Sequence, residues 1–285
     1  MNRITLPAPA KINLALKVIN KRPDGYHNLK TLFERVNLCD EITFVANKSG
    51  KIKITCRNPQ VPRGSKNLIY RAARLLQEEY AIPQGVDVQL TKRIPVAAGL
   101  AGGSSNAATA LLGLNKIWNL GLKRKKLLKI AMKIGADVPF FIHNCSWALG
   151  TQRGDHIKKL SISVKLWHIL IVPRIKMYSS EVFTAINLKL TKGCDNVNIL
   201  IRSLKNDNIK RAECLLSNDL EKGILRLRPS LINIKKILNK YNIKGVSFSG
   251  SGPSMFGLVD SRREAQAIKA ILGKRYSRIF IVRTL

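Results

Sequence analysis

The segment Pro95-Val96-Ala97-Ala98-Gly99-Leu100-Ala101-Gly102-Gly103-Ser104-Ser105-Asn106 constrains this chain more than any other. It lies between a strand-like alternation, Val86–Thr91, and an apolar periodicity over Ser104–Trp118 that predicts a helix. Small residues at nearly every position let backbone N–H groups approach a ligand, and the helix start adds a positive dipole. Ser104 and Ser105 are expected to cap that helix and to offer hydroxyls to a phosphate or metal. The segment reads as a phosphate-binding loop; an ordinary loop with a serine cap is the plainer alternative. It is neither common nucleotide fingerprint: there is no G-x-x-x-x-G-K-[ST] in the chain, and the G-x-G-x-x-G spacing is missing.

Around it the chain mixes strands and helices, which predicts an α+β architecture. Strands are expected at Ile12–Ile19, Leu166–Val172, Val246–Phe248, Met255–Val259 and Arg278–Val282. Ile42–Ala46 and Lys51–Cys56 read as partners in an antiparallel sheet. Helices are expected at Asn67–Tyr80, Lys123–Ile134, Ser180–Ile186, Val197–Leu204, Pro229–Tyr241 and Arg262–Leu272, with Gly135 as a stop. Arg22-Pro23-Asp24-Gly25 is a turn, because Pro presets φ and Asp-Gly tolerates left-handed geometry. The 285 residues suit two domains, divided as 1–155 and 156–285.

The net charge of +33 admits three readings: a nucleic-acid footprint, steering towards anionic substrates, or a bias spread over every exposed position. Only Lys123-Arg124-Lys125-Lys126 forms a compact basic run, and aromatics are only 6% of the chain, so interleaved stacking residues are lacking. The diffuse bias is favoured, and the charge does not decide function. The five cysteines (Cys39, Cys56, Cys145, Cys194, Cys214) have no C-x-x-C spacing, and His27, His143, His156 and His168 lack ligand spacing. Reduced thiols and no protein-held metal are therefore expected. No apolar run is long enough to span a bilayer, and the first residues do not read as a secretory signal, so a cytoplasmic location is expected.

Other segments are weak singly. Ser249-Gly250-Ser251-Gly252-Pro253-Ser254 follows a strand and is a tight turn or a second phosphate-facing loop. Asp137 in Gly135-Ala136-Asp137-Val138-Pro139 would ordinarily be a turn residue, Lys11 a solvated strand-end lysine, and His27 a turn residue.

Together and in this order they resemble the superfamily of galactokinase, homoserine kinase, mevalonate kinase and phosphomevalonate kinase. Pro9-Ala10-Lys11-Ile12-Asn13-Leu14, Arg22–His27, Gly102–Ala107, Gly135–Pro139 and Ser249–Pro253 look like one branch, the kinases of 4-diphosphocytidyl-2-C-methyl-D-erythritol. The resemblance runs from about Ala8 to Gly257. It implies a two-domain α+β kinase fold with the active site in the cleft between domains. It also implies transfer of the ATP γ-phosphoryl to the 2-hydroxyl of the erythritol moiety, in non-mevalonate isoprenoid biosynthesis.

By the same resemblance Asp137 is the catalytic carboxylate, with Lys11 beside it. Asn67, Lys92, Pro95, Val96, Ala97, Ala98, Gly99, Leu100, Ala101, Gly102, Gly103, Ser104, Ser105 and Asn106 would hold ATP, with Mg²⁺ entering only as its partner. Asn13, Tyr26, His27, Phe183, Gly250, Ser251 and Gly252 would handle the alcohol substrate, Tyr26 and Phe183 sandwiching the cytosine. Phosphoryl transfer needs chiefly positioning and neutralised charge, which amides, lysine and Mg²⁺ can supply. Two departures stand out. Ala97 and Ala101 occupy positions where relatives often carry Gly, and a methyl there is expected to be tolerated only at negative φ. Ser179-Ser180, before Phe183, replaces a stretch that often has Thr and Pro. Another kinase of the superfamily, of homoserine or mevalonate type, is the alternative enzyme; a basic nucleic-acid-binding protein is the alternative class. The expected partners are ATP and a cytidine diphosphate substrate, handled by a monomer or homodimer.

Overall fold

The computed structural model describes residues 2–186, 196–241 and 243–285, so Cys194 lies outside the described residues. Two compact units interleave along the chain. Unit 1 comprises Met1–Ala10, Leu38–Val96 and Ala101–Cys145; unit 2 comprises Lys11–Asn37, Ala97–Leu100 and Ser146–Leu285. Two long strands, β1 (Arg3–Lys21) and β2 (His27–Asn47), have residues in both.

In unit 1 these strands are joined by β3 (Ile52–Cys56), α1 (Leu68–Tyr80) and β4 (Gly85–Thr91), in the sheet order β3-β4-β2-β1. The expected pairing of 42–46 with 51–56 is corrected. β4 lies between them, antiparallel to β2 and parallel to β3. A parallel pair needs a crossover, and α1 supplies it. Gly85 permits the insertion, because a Cβ there would stand 2.2 Å from the Lys51 carbonyl oxygen. Val86, Val88 and Leu90 of β4 are buried while Asp87 and Gln89 are exposed, the period-2 pattern of a one-sided sheet. Three helices complete the unit: α2 (Gly102–Ile117), α3 (Arg124–Ile134) and α4 (Val138–His143).

The serine caps expected for α2 are corrected too. The helix begins at Gly102 from Ala101, whose φ is 53°, and no side chain caps it. Ser104 and Ser105 lie in the first turn, where the Ser105 N–H already donates to the Ala101 carbonyl at 2.9 Å. The left-handed residue turns the chain into the helix ahead of either serine.

Unit 2 pairs the hairpin of β5 (Trp147–Gln152) and β6 (His156–Lys159) with β2 residues Leu29–Glu34. After β7 (Trp167–Ile171) come α5 (Ser179–Ala185), α6 (Asn196–Lys205) and α7 (Ile209–Glu213). The short β8 (Ser217–Asn218) runs parallel to β1 at Ala15–Leu16. The remaining elements are α8 (Glu221–Leu227), α9 (Leu231–Lys240), β9 (Lys244–Phe248), β10 (Met255–Val259), α10 (Arg262–Leu272) and β11 (Ile279–Arg283). Four strands form an antiparallel sheet in the order β11-β7-β10-β9. Ile169 and Ile171 of β7, Met255 of β10, Leu238 of α9 and Ala265 of α10 share its core.

A buried polar group sits in this unit. The Glu34 carboxylate, fully buried, accepts from the Thr284 hydroxyl and lies 2.9 Å from His168 Nε2. Thr284 Oγ1 in turn accepts from the Leu166 N–H at 2.8 Å, tying the last strand's end to the start of β7. Glu34→Ala leaves two buried donors without their acceptor, at roughly 1–3 kcal/mol each. The expected loss of about 2–5 kcal/mol would appear as a lower urea midpoint; an unchanged midpoint would mean that the group contributes nothing to the fold.

Candidate active site

In unit 1 the approach to the loop is organised by Asp40, a residue that sequence reasoning passed over. Its buried carboxylate forms an ion pair with Lys92 and accepts the backbone N–H groups of Arg93 (2.7 Å) and Ile94 (2.8 Å). It also accepts from the Asn106 side-chain amide at 2.9 Å. Burial pushes the Lys92 ammonium below the usual lysine range, and Asp40 works against that push. Gly102 leaves the space that Lys92 fills, since a Cβ there would lie 2.8 Å from Nζ. Ser105 Oγ is buried with no hydrogen-bond partner among the described residues. Asn67 is committed locally: its side chain caps α1 by accepting from the Ile69 N–H at 2.8 Å and donates to the Pro62 carbonyl at 2.6 Å. Asp137 occupies the N-cap position of α4 without making a side-chain cap bond.

In unit 2, residues 97–100 meet β1 at Lys11, mid-strand, and the Ser249–Gly252 loop. Lys11, only 4% exposed, donates its N–H to the Leu100 carbonyl (3.2 Å) and its ammonium to Asn13 Oδ1 (2.6 Å). Asn13 donates to Thr31 Oγ1 (2.8 Å), whose hydroxyl donates to the Ala15 carbonyl (2.7 Å). This chain of donors fixes the side-chain amide so that its oxygen faces the ammonium. Lys11 Nζ also stands 5.5 Å from the Phe33 ring centroid. Gly99 is obligatory: φ is +74°, and a Cβ would lie 2.2 Å from the Ser249 carbonyl oxygen. Ser249 Oγ donates to the Gly99 carbonyl at 3.0 Å. Gly250 adjoins Asn13 and Lys11, and its carbonyl accepts from the Asn218 amide at 2.8 Å. Asn218, which also binds the Phe248 carbonyl at 2.9 Å, is a second organiser that sequence reasoning missed. Ser251 Oγ lies 2.9 Å from Ser179 Oγ at the start of α5.

Three rings of the expected substrate site, Tyr26, His27 and Phe183, lie in unit 2. Phe183 of α5 stacks on His27, with centroids 5.1 Å apart and planes 21° from parallel. Tyr26, 57% exposed, carries the Arg153 guanidinium 5.2 Å above its ring. Burial and the charge of Lys21 hold the His27 imidazole below the usual histidine range, which favours the neutral ring at pH 7. The turn before it forms as expected, with the Gly25 N–H donating to the Arg22 carbonyl at 3.1 Å and φ +82° at Gly25.

The family model described as the GHMP kinases N terminal domain matches residues 67–145, and that of the GHMP kinases C terminal matches residues 200–278. The 4-diphosphocytidyl-2-C-methyl-D-erythritol kinase of Geobacillus kaustophilus is 39% identical over 99% of this chain and 97% of its own length. The chain belongs to the GHMP kinases. A crystal structure of 4-(cytidine 5'-diphospho)-2C-methyl-D-erythritol kinase is 31% identical, covers 98% of both chains and superimposes with a TM-score of 0.85. The homoserine kinase of Cytophaga hutchinsonii, at 20% identity, 100% of this chain, 95% of its own and a TM-score of 0.74, shares the fold.

As in other GHMP kinases, the small-molecule kinase activity uses ATP, and residues 97–101 lie in the loop between β4 and α2. Here the φ angles correct one expectation. Ala97 (52°) and Ala101 (53°) both lie in the left-handed region, where a Cβ costs about 1–2 kcal/mol. The two methyls are therefore carried at positive φ, because the neighbouring contacts of Gly99 and Leu100 fix the path of the loop. Ala101→Gly is expected to raise the melting temperature by a few degrees, on the order of 1 kcal/mol less the glycine's entropy in the unfolded chain. Gly99→Ala is expected to do the opposite and to remove turnover; wild-type turnover in that variant would contradict the crowding at Ser249.

Proposed function

We propose that the chain transfers the γ-phosphoryl of ATP to the 2-hydroxyl of 4-diphosphocytidyl-2-C-methyl-D-erythritol, a step of non-mevalonate isoprenoid precursor biosynthesis. The observation that carries this reading is 39% identity, over 99% of the chain, to a kinase named for that substrate. Lys11, held by Asn13, supplies positive charge to the transferred phosphoryl. Asp137 accepts or orients the proton of the attacking hydroxyl, and the loop amides of 97–103 with Lys92 and Asn106 hold the nucleotide. Tyr26, His27 and Phe183 receive the cytosine: π-faces give affinity, and the neutral imidazole can hydrogen-bond the base's edge. Asn13, Gly250, Ser251 and Gly252 face the substrate on the Lys11 side.

Mg²⁺ with ATP belongs to the same proposal. Oxygen donors suit it, and the buried Ser105 hydroxyl, without a hydrogen-bond partner among the described residues, is the group that would hold it together with phosphate oxygens. Bound there, the ion would neutralise charge on the phosphates. No helix among the described residues is long and apolar enough to cross a membrane. The reading places the enzyme in the cytoplasm as a monomer or homodimer.

A panel of acceptor alcohols read by ATP consumption tests the substrate. Turnover is expected with the diphosphocytidyl methylerythritol alone; turnover with homoserine or mevalonate instead would transfer the chain to another branch of the fold. Asp137→Ala is expected to abolish turnover with the fold intact, and Lys11→Ala to lose about two orders of magnitude in kcat, the scale of removing an oxyanion donor. Wild-type rates in either variant would remove that residue from the chemistry.

A further inference from the structure

We propose that Asp40 is a positioning residue for ATP, its buried carboxylate aiming the Lys92 ammonium and fixing the Asn106 amide at the start of α2. The inference rests on the reading of Lys92 and Asn106 as nucleotide-binding residues. Asp40 is fully buried, and its two oxygens take four donors. Oδ1 accepts from the N–H groups of Arg93 and Ile94, and Oδ2 accepts from Lys92 Nζ and Asn106 Nδ2. Four donors are about what a carboxylate can accommodate. They come from two places, the end of β4 and the first turns of α2, which are the two flanks of the small-residue loop.

A carboxylate this deep is tolerated only when paired and saturated, and it confers orientation in return. With Nδ2 turned to Asp40, Asn106 presents its oxygen as the remaining acceptor of the amide. With Nζ held against Gly102, Lys92 cannot swing as a surface lysine would. An Asn at position 40 keeps the volume but offers one oxygen, and its own NH₂ would face donors.

The pH dependence has a definite sign. Asp40 on β2 and Cys56 on β3 are the charged or titratable groups that act on Lys92, with neutral Asn106 and Gly102 facing it from α2. Burial lowers the Lys92 pKa, while Asp40 and Cys56 raise it again. The ammonium is present below that pKa and lost above it. Removing the Asp40 charge lowers the pKa further, so the variant loses the ammonium at a lower pH than the wild type.

The test is the pH profile of the ATP KM in wild type, Asp40→Asn, Lys92→Met and the double variant, with melting temperature followed alongside. Asp40→Asn is expected to raise the ATP KM by about tenfold or more at pH 7. That rise should grow with pH, while the KM for the alcohol stays unchanged. In the Lys92→Met background, Asp40→Asn should still raise the ATP KM, through Asn106, but by clearly less than it does in the wild type, the mark of residues acting as one unit. If Asp40→Asn does not fold, the double variant against Lys92→Met carries the test, since removing both charges together is the tolerated change. A profile parallel to the wild type, additive effects in the double variant, or an equal rise in the alcohol KM would overturn the proposal. A wild-type enzyme that shows no saturable dependence on ATP would instead overturn the nucleotide reading on which it rests.

Discussion

Left-handed backbone at alternate residues of one loop is the constraint to which the rest of this protein is fitted. Ala97, Gly99 and Ala101 have φ of 52°, 74° and 53°, and the residues between them keep negative φ. Such a backbone is unfavourable for two alanines and must be over-determined by its surroundings. On one flank Gly99 is pressed against the Ser249 carbonyl and bonded by the Ser249 hydroxyl. On the other, Asp40 clamps the chain at Arg93 and Ile94 and the helix at Asn106. Each flank lies inside its own unit.

Much of this was legible in the sequence, for identifiable physical reasons. The helices of 68–80 and 262–272 carry their own period, and the alternation of 85–91 declares a one-sided strand. The helix α4 was hidden because Val138-Pro139 argues for a break. Proline at the first helical positions lacks only an N–H that would be unsatisfied anyway, so the helix begins where a stop seemed due. The sheet order was hidden for a different reason. Strands adjacent in sequence need not be adjacent in space, and only the missing side chain of Gly85 lets β4 come between β2 and β3.

The organisers Asp40 and Asn218 were illegible in principle. Each is a polar residue in or beside a strand, where the solvated reading is the ordinary one. What makes each indispensable is a set of donors or acceptors arriving from distant stretches, 52 to 66 residues away for Asp40 and about 30 for Asn218. Composition and periodicity carry no trace of that convergence. The resemblance located Lys92 and Gly250, which are bonded to these organisers, but not the organisers themselves.

The two ends of the proposed substrate path are built from different materials. The phosphate end uses backbone, the buried Lys92–Asp40 ion pair and Gly99, whose missing Cβ would collide with the Ser249 carbonyl oxygen. The cytosine end uses a half-exposed tyrosine under Arg153, a histidine on the strand after a Pro-Asp-Gly turn, and a phenylalanine on a seven-residue helix. Arg153 is itself held by Asp155 at 2.6 Å, so the ring of Tyr26 is backed by an ion pair rather than by packed core. Contacts of that kind are individually worth little and adjust at low cost. A rigid phosphate end with a softer base end would let the acceptor vary while the contacts around Gly99 and Asp40 stay fixed.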